Sequence, residues 1–386
     1  MKRLAVFCDG TWNRLATVWR TNAALAAEAV QSVAPDGVVQ LVHYGEGIGT
    51  GHVLSSLQVW AAGAFGIGLD DKILDAYRFL IFNYEPGDEV FIFGFSRGAY
   101  TARALGGLVR KCGILTKGRV DKIEEALKFY RNRSDSTHPD HDLAQEFRLT
   151  FSQEVLMKAE DTRFRDAIGV PAPPAGQPPL RIRFIGVWDT VGAFGIPNYL
   201  ITSLILRFAK RYEFYDTRLS SIVEAARHAV AVDETRRAFV PSLWENLATL
   251  NEASRAPDRY LQLWFPGDHG SVGGGGDITG LSAAALAWML EGASAQGLAF
   301  DPGVRERIVA GQDALAALRN SSKPPGFMEA IYSRGARKGP DRVADVAEST
   351  VLRFQYEAKQ AGWKPYRPKT LAKVEAELLI RRDDPA

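Results

Sequence analysis

The feature that most constrains this chain is Gly94-Phe95-Ser96-Arg97-Gly98, set between an apolar run at 89–93 and a small-residue stretch at 99–109. Apolar β-branched and aromatic residues followed by helix-periodic small ones predict a strand, a sharp turn and a helix. Such a turn strains the backbone at its centre and brings strand and helix so close that a side chain at either flanking position would collide. Gly94 and Gly98 meet that demand, and Ser96 is lifted clear with its hydroxyl exposed. The pattern is a nucleophile elbow, with Ser96 as the candidate nucleophile. The Arg97 amide, at the start of the helix, is a candidate oxyanion donor.

An elbow needs a sheet to stand on. Strand-like runs at 4–8, 38–44, 89–93, 182–188 and 261–265 alternate with helix-like segments at 21–30, 69–84, 99–109 and 281–292. That alternation predicts an α/β-hydrolase-like, mostly parallel sheet with helices on both faces. The polar, strand-free stretch at 117–170 reads as a helical insertion after the nucleophile helix, closed by a Pro-rich linker at 170–179. The chain from 300 onward reads as mainly helical, turning basic and polar. All 386 residues are expected to form one domain with these elaborations.

Composition narrows the class. A net charge of +2 gives no basic face for nucleic acid. Cys8 and Cys112 are far apart in apolar segments, so no disulfide framework is expected. No run reaches the ~18 apolar residues of a membrane span, and 1–9 is too short and too soon charged for a signal peptide. A product that stays cytoplasmic as synthesised is expected, with any export independent of a signal.

A serine nucleophile needs a base and an acid, which in this fold follow it in the chain. His43 and His52 precede Ser96. His138 and His141 sit in a polar His-Pro-Asp-His-Asp cluster that reads as a solvated loop more readily than as a metal site, and no metal or cofactor is required. His228 reads as a packed or capping histidine in a helical run with Val223, Ala226 and Val230. His269 directly follows a strand and turn, where its imidazole can swing over the serine. Asp189, at the end of the 182–188 strand, is the expected acid, with Asp233 and Asp268 as rivals. The second oxyanion amide is expected from Gly10 or Thr11, at the exit of the first strand. Gly273 to Gly276 lack the spacing and lysine of a phosphate loop and read as a flexible approach to the catalytic loop.

One segment speaks to the substrate. Leu200, Ile201, Leu204, Ile205 and Phe208 form a helical stripe, with Ser203, Arg207, Lys210 and Arg211 off it. Such a helix caps an acyl pocket or lies on an anionic membrane surface, and packing on the core explains the stripe equally well. Leu200, Leu204, Ile205 and Phe208 are the candidate lipid contacts.

Taken together, several blocks resemble one family. They are Phe7-Cys8-Asp9-Gly10-Thr11-Trp12-Asn13, then Gly94-Phe95-Ser96-Arg97-Gly98-Ala99 with Ala102-Arg103, and Val187-Trp188-Asp189-Thr190-Val191-Gly192. Arg227-His228-Ala229 with Asp233-Glu234 follows, then Trp264-Phe265-Pro266-Gly267-Asp268-His269 through Gly275, and Gly280-Leu281-Ser282 with Trp288-Met289. In this order, over roughly 1–300, they resemble the catalytic domain of bacterial type VI secretion phospholipase effectors, which belong to the α/β-hydrolase superfamily. The resemblance implies Ser96, Asp189 and His269 as the catalytic set, phospholipid deacylation as the activity, and an immunity protein as a partner by analogy. The chain departs from the pattern at Gly270-Ser271, where Ser-Asp is usual, and at Gly276, where tyrosine is commoner.

The expected function is therefore a serine esterase or lipase of phospholipase A type, working through an acyl-enzyme and touching a membrane surface transiently. A soluble carboxylesterase or thioesterase, and a hydrolase-fold binding module that has lost activity, are the rival readings.

Overall fold

The computed structural model describes residues 1–10, 17–47, 68–157, 165–167, 169–192, 217–319, 334–357 and 364–380. Six parallel strands form one sheet: β1 (Arg3–Cys8), β2 (Gln40–Gly45), β3 (Glu89–Phe95), β4 (Ile182–Trp188), β5 (Ala226–Ala231) and β6 (Tyr260–Phe265). Their order across the sheet is β2-β1-β3-β4-β5-β6. A parallel strand covered on both faces has no polar side to show, which is why β1, β3 and β4 are nearly continuous apolar runs.

Alternate residues serve opposite faces. Leu4, Val6, Val90 and Ile92 point into a core shared with α2 (Leu69–Asn83) and α3 (Arg97–Cys112). Ala5, Phe7, Phe91 and Phe93 point the other way, toward α1 (Asn22–Ala29) and residues such as Leu286 and Met289. After α3 come α4 (Ile123–Arg131) and α5 (Asp142–Phe151). Their Ile123, Ala126, Leu127 and Phe147 join the α3 core, so this helical stretch thickens one layer of the sheet.

Beyond β5, α6 (Leu247–Ser254) leads into β6, followed by the single turn α7 (His269–Gly273) and α8 (Gly280–Ala295). The C-terminal part holds α9 (Pro302–Ala310), α10 (Glu348–Gln355) and α11 (Glu375–Ile380). Phe354, Leu371, Val374 and Leu378 from this part close over Val230, Val232 and Trp264 in a third apolar cluster. Among the described residues no helix is long and apolar enough to cross a membrane.

The strand order reverses at β1, with β2 on one side and β3 on the other. Loops leaving the carboxyl ends of β1 and β3 must therefore diverge to opposite sides, which opens a crevice there. The elbow stands at the end of β3, on the rim of that crevice.

One sequence expectation fails. His228 was expected on a helix, but it lies fully buried inside strand β5, where every residue but Arg227 is buried. Ala-Arg-His-Ala-Val-Ala carries no alternation, because both faces of this strand are covered, and the flanking Val223 and Val230 imitate a helical repeat.

Candidate active site

Strand β3 runs straight into α3, and Ser96 is the one residue between them. It has φ 59° and ψ −122°, a conformation that side chains rarely adopt. Although Ser96 is at the N-cap position, its side chain makes no capping bond. The hydroxyl is turned away from the helix.

The two glycines permit this. A Cβ on Gly94 would lie 2.4 Å from the Gly98 carbonyl oxygen, and one on Gly98 would lie 2.1 Å from the carbonyl oxygen of Cys8. Both obstacles are backbone, so neither can step aside. The arrangement starts α3 directly against β1, with the Arg97 amide as the first of the helix. An amide in that position has no acceptor within the helix.

Ser96 Oγ lies 2.8 Å from His269 Nε2, and His269 Nδ1 lies 2.6 Å from Asp189 Oδ2. The three residues come from the ends of β3, β6 and β4, and all three side chains are buried. His269 opens α7, whose N-cap Asp268 accepts from the Ser271 amide at 3.0 Å. That cap fixes the direction of the turn and hence of the imidazole. The ring is held between Phe95, at 4.8 Å between centroids, and the edge of Phe239, at 5.0 Å. Residues 271–276 are buried, and a Cβ on Gly273 would overlap the Phe95 ring at 1.9 Å. The glycine run is thus close-packed support for the histidine, where a flexible approach was expected. The unusual Ser271 has a place in it: its hydroxyl lies 3.0 Å from Asp268 Oδ1 and 2.8 Å from the Leu318 carbonyl oxygen.

Asp189 has φ 38°, one of three described non-glycine residues with positive φ. The turn aims its carboxylate back across the strand ends. Its Oδ1 accepts from the Ala231 amide at 2.9 Å and from Arg337 Nη1 at 2.6 Å. Its Oδ2 accepts from Arg337 Nη2 at 2.9 Å besides facing His269. Burial alone would push this carboxyl up. The Arg337 guanidinium, together with the His269 hydrogen bond, overrides burial and holds it well below the usual carboxylate range.

The rivals for the acid are elsewhere. Asp233 Oδ2 accepts from the Gly267 amide at 2.7 Å and from the Tyr366 hydroxyl at 2.6 Å, and burial raises its pKa. Asp268 is the cap of α7. His228 is fully buried: its Nε2 accepts from the Thr190 amide at 3.2 Å, and its Nδ1 lies 3.0 Å from Gln262 Oε1. Burial, with Arg103 adding to it, pushes its pKa down to about 3. A neutral ring there buttresses the residue next to Asp189. His138 lies near the surface, its Nδ1 accepting from the Asp140 amide at 3.3 Å.

Of the two candidates for the second oxyanion amide, Gly10 donates its amide to Asp9 Oδ1 at 2.6 Å. Asp9 Oδ2 also accepts from Thr21 Oγ1 at 2.6 Å and from the Tyr44 hydroxyl at 2.5 Å. Asp9 is therefore the anchor of the loop leaving β1. Thr11, the other candidate, and the lipid-contact candidates Leu200, Leu204, Ile205 and Phe208 lie outside the described residues. Beside the elbow, at the carboxyl ends of β1 and β2, a cleft of about 410 Å³ is lined by Asp9, Tyr44, Lys72, Asp75, Arg97 and Gly98 among others.

With this geometry in place, the comparisons with known proteins become informative. Residues 2–292 match the family described as "T6SS, Phospholipase effector Tle1-like, catalytic domain". The chain belongs to this family. A yeast relative, the uncharacterized protein YEL023C of Saccharomyces cerevisiae, is 32% identical over 191 residues, covering 48% of this chain and 23% of its own length. Among solved structures, an uncharacterized protein from Pseudomonas aeruginosa aligns with a TM-score of 0.44 at 16% identity, over 80% of this chain and 48% of that one. The Tle1 effector bound to the VgrG spike of the type 6 secretion system aligns with a TM-score of 0.34 at 17% identity, over 72% of this chain and 52% of that one. The chain thus spans under a quarter of the yeast relative and about half of each solved chain.

Arg337 was not anticipated. It lies 45 residues past the end of the family match at 292, in the basic stretch Arg334-Gly335-Ala336-Arg337-Lys338, which reads as solvated surface.

Proposed function

We propose that the chain is a serine esterase that removes acyl chains from phospholipids, a phospholipase of A type. The observation that carries this reading is the unbroken line from Ser96 Oγ through His269 to Asp189, built on a strained elbow in a chain of the phospholipase effector family.

The chemistry follows from the positions. Ser96 Oγ attacks the ester carbonyl carbon while its proton passes to His269 Nε2. Asp189, ionised and hydrogen-bonded to Nδ1, orients the ring and stabilises the imidazolium that forms. The carbonyl oxygen gains negative charge and is met by the Arg97 amide at the start of α3, with Thr11 as the proposed second donor. Collapse of the tetrahedral intermediate expels the lysophospholipid alkoxide, which takes the proton from His269 and leaves an acyl-Ser96 ester. Water, deprotonated by His269, then attacks that ester and releases the fatty acid. No step calls for a metal or cofactor. The apolar side chains Leu200, Leu204, Ile205 and Phe208 are the proposed contact with acyl chains or the membrane surface.

The test is fatty-acid release from mixed phospholipid vesicles by the wild type and by Ser96→Ala. Release that falls by at least ~10³-fold in the variant is expected. Equal release from both would refute a Ser96 nucleophile. Cleavage of short soluble esters with no release from vesicles would refute the lipid.

A further inference from the structure

Arg337 belongs to no strand or helix, yet its guanidinium makes four hydrogen bonds. Two go to the two oxygens of Asp189, at 2.6 and 2.9 Å. The others go to the carbonyls of Ala231, at 2.9 Å, and of Phe239, at 2.5 Å. The side chain is 4% exposed. A planar fork facing a carboxylate in this way fixes both the position and the rotation of that carboxylate, which a point charge would not.

The segment carrying it is pinned from both sides. Arg334 pairs with Arg236 in an antiparallel bridge, and the Gly335 amide donates to the Thr235 carbonyl at 2.8 Å. At Gly339 the backbone runs so close to Thr370 that a Cβ would sit 1.6 Å from its carbonyl oxygen. A long flexible arginine is thereby presented from a fixed base.

Its contacts converge on the imidazole from two directions. Asp189 Oδ2 touches both Arg337 Nη2 and His269 Nδ1. Phe239, whose carbonyl Arg337 holds, lays its ring edge against His269. The remaining charged or titratable neighbours are accounted for. Glu234 is paired with Arg236, and His228 is neutral and turned to the Thr190 amide.

We propose that Arg337, from the part of the chain beyond the family match, is a positioning residue for the Ser96–His269–Asp189 site: its guanidinium clamps the carboxylate in the ionised form and orientation that His269 needs. This inference rests on the reading of Asp189 as the acid.

The consequence for rate is that chemistry suffers and substrate binding does not. Loss of the fork frees the carboxylate to rotate and lets His269 drift from Ser96. In Arg337→Met, kcat on a short ester should fall at least tenfold, with KM within about threefold of wild type. With the guanidinium gone, burial at Asp189 is opposed by His269 alone, so the carboxylate is protonated at higher pH than in the wild type. The acid limb of the kcat/KM profile should move up by about one pH unit or more. Arg337→Lys, which keeps the charge and loses the fork, should fall between wild type and Arg337→Met.

The experiment measures these pH profiles in the full chain beside Asp189→Asn and Asp189→Asn/Arg337→Met. If Arg337 acts through Asp189, the double variant is no slower than Asp189→Asn alone. It should also be more resistant to denaturant than Arg337→Met, because no unpaired carboxylate remains buried. That stability comparison holds even if Arg337→Met is too unstable to assay for activity. A folded Arg337→Met with wild-type kcat and an unmoved acid limb overturns the clamp, as does a double variant no more stable than Arg337→Met. Near-wild-type activity in Asp189→Asn would instead overturn the underlying reading of the acid.

Discussion

The tightest quantitative handle on the site is Gly98. Replacing it with alanine adds one carbon atom, and that carbon would sit 2.1 Å from the Cys8 carbonyl oxygen and 2.6 Å from that of Asp9. Real Cβ atoms do not approach closer than 3.0 Å, so β1 and the start of α3 must separate by about 0.9 Å. Both partners are backbone of packed elements, and no rotamer can relieve the clash. Overpacking of this kind costs about 1–3 kcal/mol of stability. The larger effect is on rate. The Arg97 amide and Ser96 ride on the end of α3 that moves, and a displacement of about 1 Å in a reacting group costs roughly 10²-fold, or about 2.7 kcal/mol of transition-state stabilisation. The assay is kcat/KM on a short chromogenic ester, with folded sites counted by fluorophosphonate labelling and stability read by urea unfolding. Gly118→Ala is the control, because a Cβ there meets nothing within 4 Å. A Gly98→Ala protein that folds and hydrolyses ester within about twofold of wild type would refute the argument that close approach at this glycine sets the elbow.

Other predictions follow from the buried polar groups. His228 has its pKa pushed down to about 3, against about 6.5 in an unfolded chain, so unfolding between those values takes up a proton. Its contribution is complete above pH 6.5 and fades as pH falls, at about 1.4 kcal/mol per pH unit. His228→Gln should flatten the slope of unfolding free energy between pH 6.5 and 4.5 by about one proton, and an unchanged slope would count against a neutral buried ring. Asp233 has its pKa raised by burial, so its contribution to stability is present at low pH and is lost as pH rises through the raised value. Asp233→Asn should accordingly be neutral or stabilising at pH 8 in thermal unfolding. It should keep ester hydrolysis within about threefold, since an amide oxygen can receive the Gly267 and Tyr366 donors. Asp189→Asn, by contrast, should lose roughly 10⁴-fold in kcat, as expected when the acid that sets a catalytic tautomer is neutralised.

What could be read in the sequence is what short-range sterics dictate. The elbow is legible because Gly94 and Gly98 answer a local collision, and the strands at 4–8, 89–93 and 182–188 are legible because burial on both faces leaves them almost wholly apolar. Asp189 stood out as a candidate because it directly ends such a strand, and His269 because it follows the turn after β6. Strand β5 was not legible, since small residues around His228 fit a helix as well as a covered strand. The local bond at Gly10 was not anticipated: an aspartate before Gly-Thr can take the next amide into its own side chain, as turn-forming aspartates do. Arg337 had no such signal. Its partner is 148 residues away, and nothing in a run of arginines and lysines tells a buried fork from a solvated one.

That distance along the chain has a meaning in time. A ribosome delivers Ser96, Asp189 and His269 well before Arg337 emerges, and the six strands can pair while the carboxylate still has only part of its ligation. A buried carboxylate without its cation is costly, so an unfinished chain holds the site open or distorted. On the proposed role of Arg337, the site is completed only when residues 334–340 settle between Thr235 and Thr370. A chain cut short after α8 would carry the nucleophile, acid and base yet lack the group proposed to align them. For a protein proposed to attack lipids, the cell that makes it is exposed to working enzyme only after the chain has been extended well past the triad.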